Sequence, residues 1–216
     1  MGVNELRAAL AEELEPFVGG EGFRWRVSTG SFVRTAPGVV AQLVIEVERS
    51  RFREEYSLGF PLAVRHHDVE IAYHRIVGTE QSLLEAGVSP AETRRRLRTS
   101  ASVLSSWDRT ARYAGITMVR PGGSYERIVR PARLADRALP WLAAHSDRSG
   151  LCSALESRTG IAEHGVLERR QALHLADGDP ARARSLALGL LADPPFAHDD
   201  PAGLAATCTR VVDETT

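Results

Sequence analysis

Residues 39–48, VVAQLVIEVE, put Val39, Ala41, Leu43, Ile45 and Val47 on one side of an extended chain. Successive strand side chains point to opposite faces, so this stretch reads as a central strand with one buried side. Upstream, Pro37-Gly38 is a turn signal, Ser31–Ala36 is a second strand, and Thr29-Gly30 turns back into Phe23–Ser28. There Phe23, Trp25 and Val27 share a face, and Arg24, Arg26 and Ser28 share the other. Downstream, Tyr56–Val64 and Asp68–Ile76 continue the period of two, with Pro61 and His66-His67 as breaks. Short turns between successive strands imply an antiparallel meander. Its second side carries Arg, Gln and Glu, which leaves that side to solvent or a partner.

Around this meander the period changes to 3.6. Val3, Leu6, Leu10, Leu14 and Phe17 form an apolar helical stripe, ended by Gly19, Gly20 and Gly22. Ser89-Pro90-Ala91-Glu92 combines a cap, a proline suited to the first helical position and a capping-box glutamate, so a helix starts there and is expected to reach Trp107. Tyr113–Arg120 and Ser124–Arg130 read as a hairpin across Pro121-Gly122-Gly123 that joins the same sheet. From Pro131 the chain reads as helices near 131–145, 149–158, 162–176, 180–192 and 201–212. Strands followed by helices give an α+β class: an antiparallel sheet of about five to seven strands packed against helices, with a helical C-terminal region. The expected division is 1–145 for the sheet domain and 146–216 for the helical region packed on it, with one single domain as the alternative. Phe23, Trp25, Leu43, Ile45, Leu58 and Trp141 are the expected core.

The 216 residues hold 27 basic and 28 acidic side chains, and every basic one is arginine. Without lysine, Schiff-base chemistry and a P-loop lysine are excluded. Arginine is a permanently charged planar fork, suited to carboxylate or phosphate. MGVNELRAALAEEL lacks the basic and apolar regions of a secretory signal, and no apolar run approaches the ~20 residues of a membrane span. Cys152 and Cys208 are too few for a disulfide framework. A cytoplasmic protein is expected, with no membrane association and no cofactor implied.

The order of a leading helix, Gly22-Phe23 at a strand entry, the apolar strand 39–47, Leu58-Gly59, and a late RPARLADRALPWL helix resembles an uncharacterised bacterial family, a domain of unknown function. The resemblance covers roughly residues 3–64 and part of 125–145. It implies a helix, a meander and closing helices, and it brings no catalytic residues.

The densest polar cluster is His66-His67-Asp68-Val69-Glu70 with Tyr73-His74. On a strand, Asp68, Glu70 and His74 share a face, so His66, His67, Asp68 and His74 are candidate metal ligands; a polar turn with a solvated strand face is the plainer alternative. The spacing matches no established metal motif. His164, Glu168 and His174 lie near one helical face, and His198-Asp199-Asp200 reads as a loop and cap. Cys152 and His145 form no organised dyad, and Gly122-Gly123 sits in a hairpin turn, where a phosphate cradle is not expected.

Charge is segregated along the chain. Residues 89–137 hold eleven arginines against four acids, net +7, whereas 193–216 carry −4 and 1–20 carry −3. Arg94, Arg95, Arg96 and Arg98 span more than half a helical turn and cannot all be buried, so they are the candidate site for a partner or polyanion; the plainer alternative is that the basic middle balances the acidic ends within the fold or a dimer. Trp107, Tyr113 and Tyr125 lie among the cations, the pattern of a faint nucleic-acid footprint. The leading expectation is a non-enzymatic protein-binding or accessory module with an acidic protein partner. The alternatives are a metal-dependent phosphoester hydrolase and a nucleic-acid-binding protein using the basic 89–137 segment.

Overall fold

The computed structural model describes residues 2–49, 56–99, 104–106, 117–119, 130–157, 165–195 and 200–216. The protein is α+β and divides into two compact units: 1–64, 104–151 and 160–162 in the first; 65–103, 152–159 and 163–216 in the second. In this division 65–103 are grouped with the C-terminal helices.

The first unit is a layered α+β body. Helix α1 (Val3–Val18) buries Leu6, Leu10, Ala11, Leu14 and Val18. The Glu5 carboxylate accepts the Gly2 N–H at 2.7 Å, covering one of the amides that a helix start leaves open. Phe17, expected in the apolar stripe, is 43% exposed. A 3-10 turn (Gly19–Glu21) leads to β1 (Arg24–Arg26), β2 (Ser31–Ala36) and β3 (Val39–Val44). Their antiparallel registers place Trp25 opposite Phe32 and Phe32 opposite Leu43, so one cross-strand row feeds the core. Strand β1 ends at Arg26, so Val27 leaves the sheet and is 80% exposed.

The expected single meander is divided over two sheets. The larger has the order β1-β2-β3-β6-β7, where β6 is Leu62–His66 and β7 is the three-residue Leu104–Ser106. The smaller is β4-β5-β8: Glu46–Arg49, Tyr56–Gly59 and the three-residue Thr117–Val119. The meander itself thus gives four strands to one sheet and two to the other. The chain changes sheet at Ile45 and returns at Phe60-Pro61. The Ile45 N–H donates to the Gly30 carbonyl at 2.9 Å, its carbonyl accepts Arg7 Nε from α1 at 3.0 Å, and the Val44 N–H donates to Pro61 O at 2.9 Å. These bonds replace the ladder where the strand breaks. Ala41, Leu43, Ile45 and Val47 stay buried through the break. Leu104–Ser106 is strand where the helix starting at Ser89-Pro90 is expected to continue to Trp107. Thr117–Val119 lies within the expected hairpin but pairs with β5, in the smaller sheet.

Helix α5 (Pro131–Ser146) closes this core with Leu134, Ala135, Ala138 and Leu142. Phe23, Leu43, Ile45 and Leu58 are fully buried as expected, and Trp25 and Trp141 pack against them partly exposed.

The second unit is built chiefly of helices: α2 (His67–Ile76), α3 (Thr79–Glu85), α4 (Pro90–Thr99), the C-terminal part of α6 (Arg148–Ser157), α7 (Val166–Ala176), α8 (Pro180–Ala192) and α9 (Pro201–Glu214). Helix α2 packs against α3, α4, α7 and α9, and α8 packs on α7 and α9. The last two helices start as their sequence implies. Asp179 and Asp200 each precede a first-turn proline, and their carboxylates accept the N–H of Arg182 at 3.0 Å and of Gly203 at 2.9 Å.

Candidate functional site

The strand expected over Asp68–Ile76 is helix α2, which rearranges the histidine–acid cluster. On a helix, residues four apart share a face, so Glu70 and His74 point inward together. His66 precedes the helix and is buried, His67 is half-buried, and Asp68 is exposed with its carboxylate near the Val69 N–H at 2.9 Å. The common face that made Asp68, Glu70 and His74 a ligand set does not form. Among the described residues no three His, Cys, Asp or Glu side chains gather closely enough to hold a metal ion.

Glu70 instead meets Arg169 of α7. Arg169 Nε donates to Glu70 Oε1 at 3.0 Å, with the two side chains 6% and 1% exposed. The same guanidinium lies 4.2 Å from the centre of the Tyr73 ring, and Tyr73 meets His74 edge-on at 5.3 Å. One planar fork thus serves a carboxylate at its edge and an aromatic ring at its face. Gly165 makes room for this. Its φ is +67°, and a Cβ there would lie 2.7 Å from Arg169 Nη1 and 3.1 Å from the Tyr73 hydroxyl.

Burial dominates the electrostatics of this cluster. It pushes the Tyr73 phenol up, with Arg169 opposing, and pulls the His74 imidazole down, with Glu70 opposing. The Arg65 guanidinium is also lowered by burial against the pull of Glu70. Burial likewise raises the Cys208 thiol, opposed by the hydrogen bond that Gln171 Nε2 donates to its sulfur at 3.5 Å. The arrangement holds a carboxylate and a guanidinium together between two helices. Glu168 is buried and His174 half-buried, while His164, His198 and Asp199 lie outside the described residues. In the first unit His145 stacks on Trp141 at 3.9 Å, and its Nδ1–H donates to the Trp141 carbonyl at 2.8 Å.

Sequence reading had no means of pairing Glu70 with Arg169, ninety-nine positions apart. It did have a signal for α2: acids in the first turn, His74-Arg75 in the last, and Gly78 just beyond, where φ is +85°.

The arginine segment behaves as a presented face. Ser89 Oγ accepts the Glu92 N–H at 3.3 Å, and α4 anchors itself through Thr93 and Leu97, which are 0% and 1% exposed. Arg94, Arg95 and Arg96 are left exposed. The expected capping glutamate is turned to them: Arg95 donates to both Glu92 oxygens at 2.7 Å and Arg96 Nε to one at 2.9 Å. These bonds draw the Glu92 carboxyl down to about 2. Arg94 Nε donates to the Pro90 carbonyl at 3.3 Å. The side chain of Arg98 lies outside the described residues, as do Arg109, Arg112, Arg120 and Arg127. Arg133 and Arg137 are exposed on α5, in the other unit.

Among the described residues no helix is long and apolar enough to cross a membrane. The chain matches no family model, no curated protein and no solved structure.

Proposed function

We propose that this chain is a non-enzymatic binding module that engages an acidic protein partner through the α4 face of Arg94, Arg95 and Arg96. The observation behind this reading is the orientation of α4. Its buried side is anchored by Thr93 and Leu97, and three consecutive permanent cations are exposed, two of them on the carboxylate of Glu92. The carboxylate of Glu92 already occupies two of these forks, which makes it an internal stand-in for an incoming Asp or Glu side chain. The buried Glu70–Arg169 pair joins α2 to α7, with Tyr73 stacked on the guanidinium. The phosphoester-hydrolase alternative is left without a ligand set among the described residues.

Binding of a fluorescent poly-glutamate peptide, titrated at low and at moderate salt, tests the reading. The wild-type chain should bind, and the Arg94→Ala, Arg95→Ala, Arg96→Ala variant should lose at least tenfold in affinity. A single-stranded oligonucleotide of equal charge should bind more weakly at the same salt. If the oligonucleotide wins, with a steep salt dependence, the nucleic-acid alternative replaces this one. Equal peptide binding by the triple variant would refute the assignment to α4.

A further inference from the structure

We propose that α8 is a self-association face, on which a second copy of this chain lays its own α8 antiparallel. Helix α8 buries Ala183 and Ala187 completely against its own unit. Its outer side is unusually apolar for a solvent-facing helix. Ala181, Ser185, Leu188 and Ala192 are exposed at alternating spacings of four, three and four, the period of a coiled-coil seam. Leu188 is 47% exposed, and Leu191 beside it is 39% exposed. Scattered apolar residues on a surface are ordinary, whereas a continuous seam at helical period marks a contact.

The charges at the two ends of α8 identify the occupant. Arg182 stands in the first turn and Asp193 caps the last, and both are exposed. Each is at the wrong end for its own helix dipole, which favours acids at the start and bases at the finish. Neither is ion-paired among the described residues. A second α8 running antiparallel reverses the mismatch. With the two-fold axis between Ser185 and Leu188, Ser185 faces the partner's Leu188, Ala181 faces the partner's Ala192, and Arg182 comes within about 3 Å along the axis of the partner's Asp193, at the negative end of that helix. The face is then self-complementary, as a two-fold interface requires. A parallel arrangement would stack Arg182 on Arg182 and Asp193 on Asp193.

The seam is short. Thirteen residues span about 20 Å, and one helix pair buries less than the ~1,200 Å² of a stable interface. The dimer is therefore expected to be weak and reversible, with a dissociation constant on the order of 10–100 µM.

Sedimentation equilibrium of the full chain, at concentrations bracketing that range, provides the test. A reversible monomer–dimer equilibrium is expected. Leu188→Glu should leave a monomer at every concentration with unchanged far-UV circular dichroism, because Leu188 is 47% exposed and a glutamate there can reach solvent. Arg182→Asp should weaken the dimer at least tenfold, and adding Asp193→Arg should restore it. Both exchanges favour the isolated helix through its dipole, so a loss followed by recovery reports the contact between copies and not folding. A monomer at all concentrations, a dimer surviving Leu188→Glu, or no recovery in the double exchange would each overturn the proposal.

Discussion

Replacing Arg169 with methionine should be among the most damaging single exchanges in this protein. Methionine fills a similar volume, so packing is largely kept while the charge is removed. Glu70 then stays 1% exposed without the guanidinium that met it at 3.0 Å, and the Tyr73 ring loses the cation 4.2 Å from its centre. Breaking a buried ion pair from one side costs about 3–5 kcal/mol, because the remaining charge keeps its desolvation penalty. A whole domain is stable by only about 5–15 kcal/mol. Urea unfolding followed by far-UV circular dichroism measures the loss. At a slope of about 2 kcal/mol per molar, a deficit of about 4 kcal/mol lowers the midpoint by about 2 M. Removing both charges, Glu70→Leu with Arg169→Met, should recover part of that deficit, since the carboxylate no longer keeps its desolvation penalty while Arg65 loses the pull of Glu70. An Arg169→Met midpoint within about 0.5 M of wild type would show that water reaches the pair. A double variant as weak as the sum of its parts would show that the two residues are not coupled.

Three further outcomes follow from the same geometry. The His74 pKa is lowered in the folded chain by burial, so the unfolded chain takes up the proton first as pH falls through the ordinary histidine value of about 6.5; stability should therefore be full above that value and fall below it, and His74→Phe should flatten the acid limb of midpoint against pH. Gly30→Ala forces a side chain into φ +59° and puts a Cβ 2.8 Å from Arg7 Cδ, so a loss of about 1–3 kcal/mol in urea unfolding is expected. Glu92→Gln releases Arg95 and Arg96 without touching the core; the urea midpoint should stay unchanged while poly-glutamate affinity rises, and a fall in affinity would mean that Glu92 orients the arginines and does not compete for them.

How far the sequence could be read depended on whether a residue's fate was set by its neighbours in the chain. Asp179-Pro180 and Asp200-Pro201 fixed helix starts because cap and proline act within one turn. The alternation from Val39 to Val47 showed which side chains are buried, and all the odd positions from Ala41 onward are. It could not show that the strand changes sheets at Ile45, because the side-chain period continues across a change of hydrogen-bond partner. Residues 68–76 went wrong for a different reason. Val69, Ile71 and Tyr73 fit a period of two, and Val69, Ala72 and Ile76 fit a helix equally well. The buried members of the helical set include Glu70 and His74, which a hydrophobic pattern assigns to solvent. Their burial depends on Arg169, and no local rule sees a partner on another helix.

Arginine count alone overstated how much of this molecule is available to a partner. Several arginines serve the backbone at points where regular hydrogen bonding stops. Arg7 meets the Ile45 carbonyl at the strand break, and Arg24 meets the Gly19 and Phe23 carbonyls past the end of α1. Arg210 of α9 donates to the Ile76 carbonyl at the end of α2. These are the places where helices and strands leave carbonyls without partners, and a multi-donor fork can reach them from a neighbouring element. Arg169 does the same for a buried carboxylate. The α4 arginines differ in kind. Glu92 and Pro90, on the same helix, accept from them, and the helix is anchored on its other side by Thr93 and Leu97. A cation that the packing beneath it keeps in solvent is the kind that a partner can reach without unfolding its host.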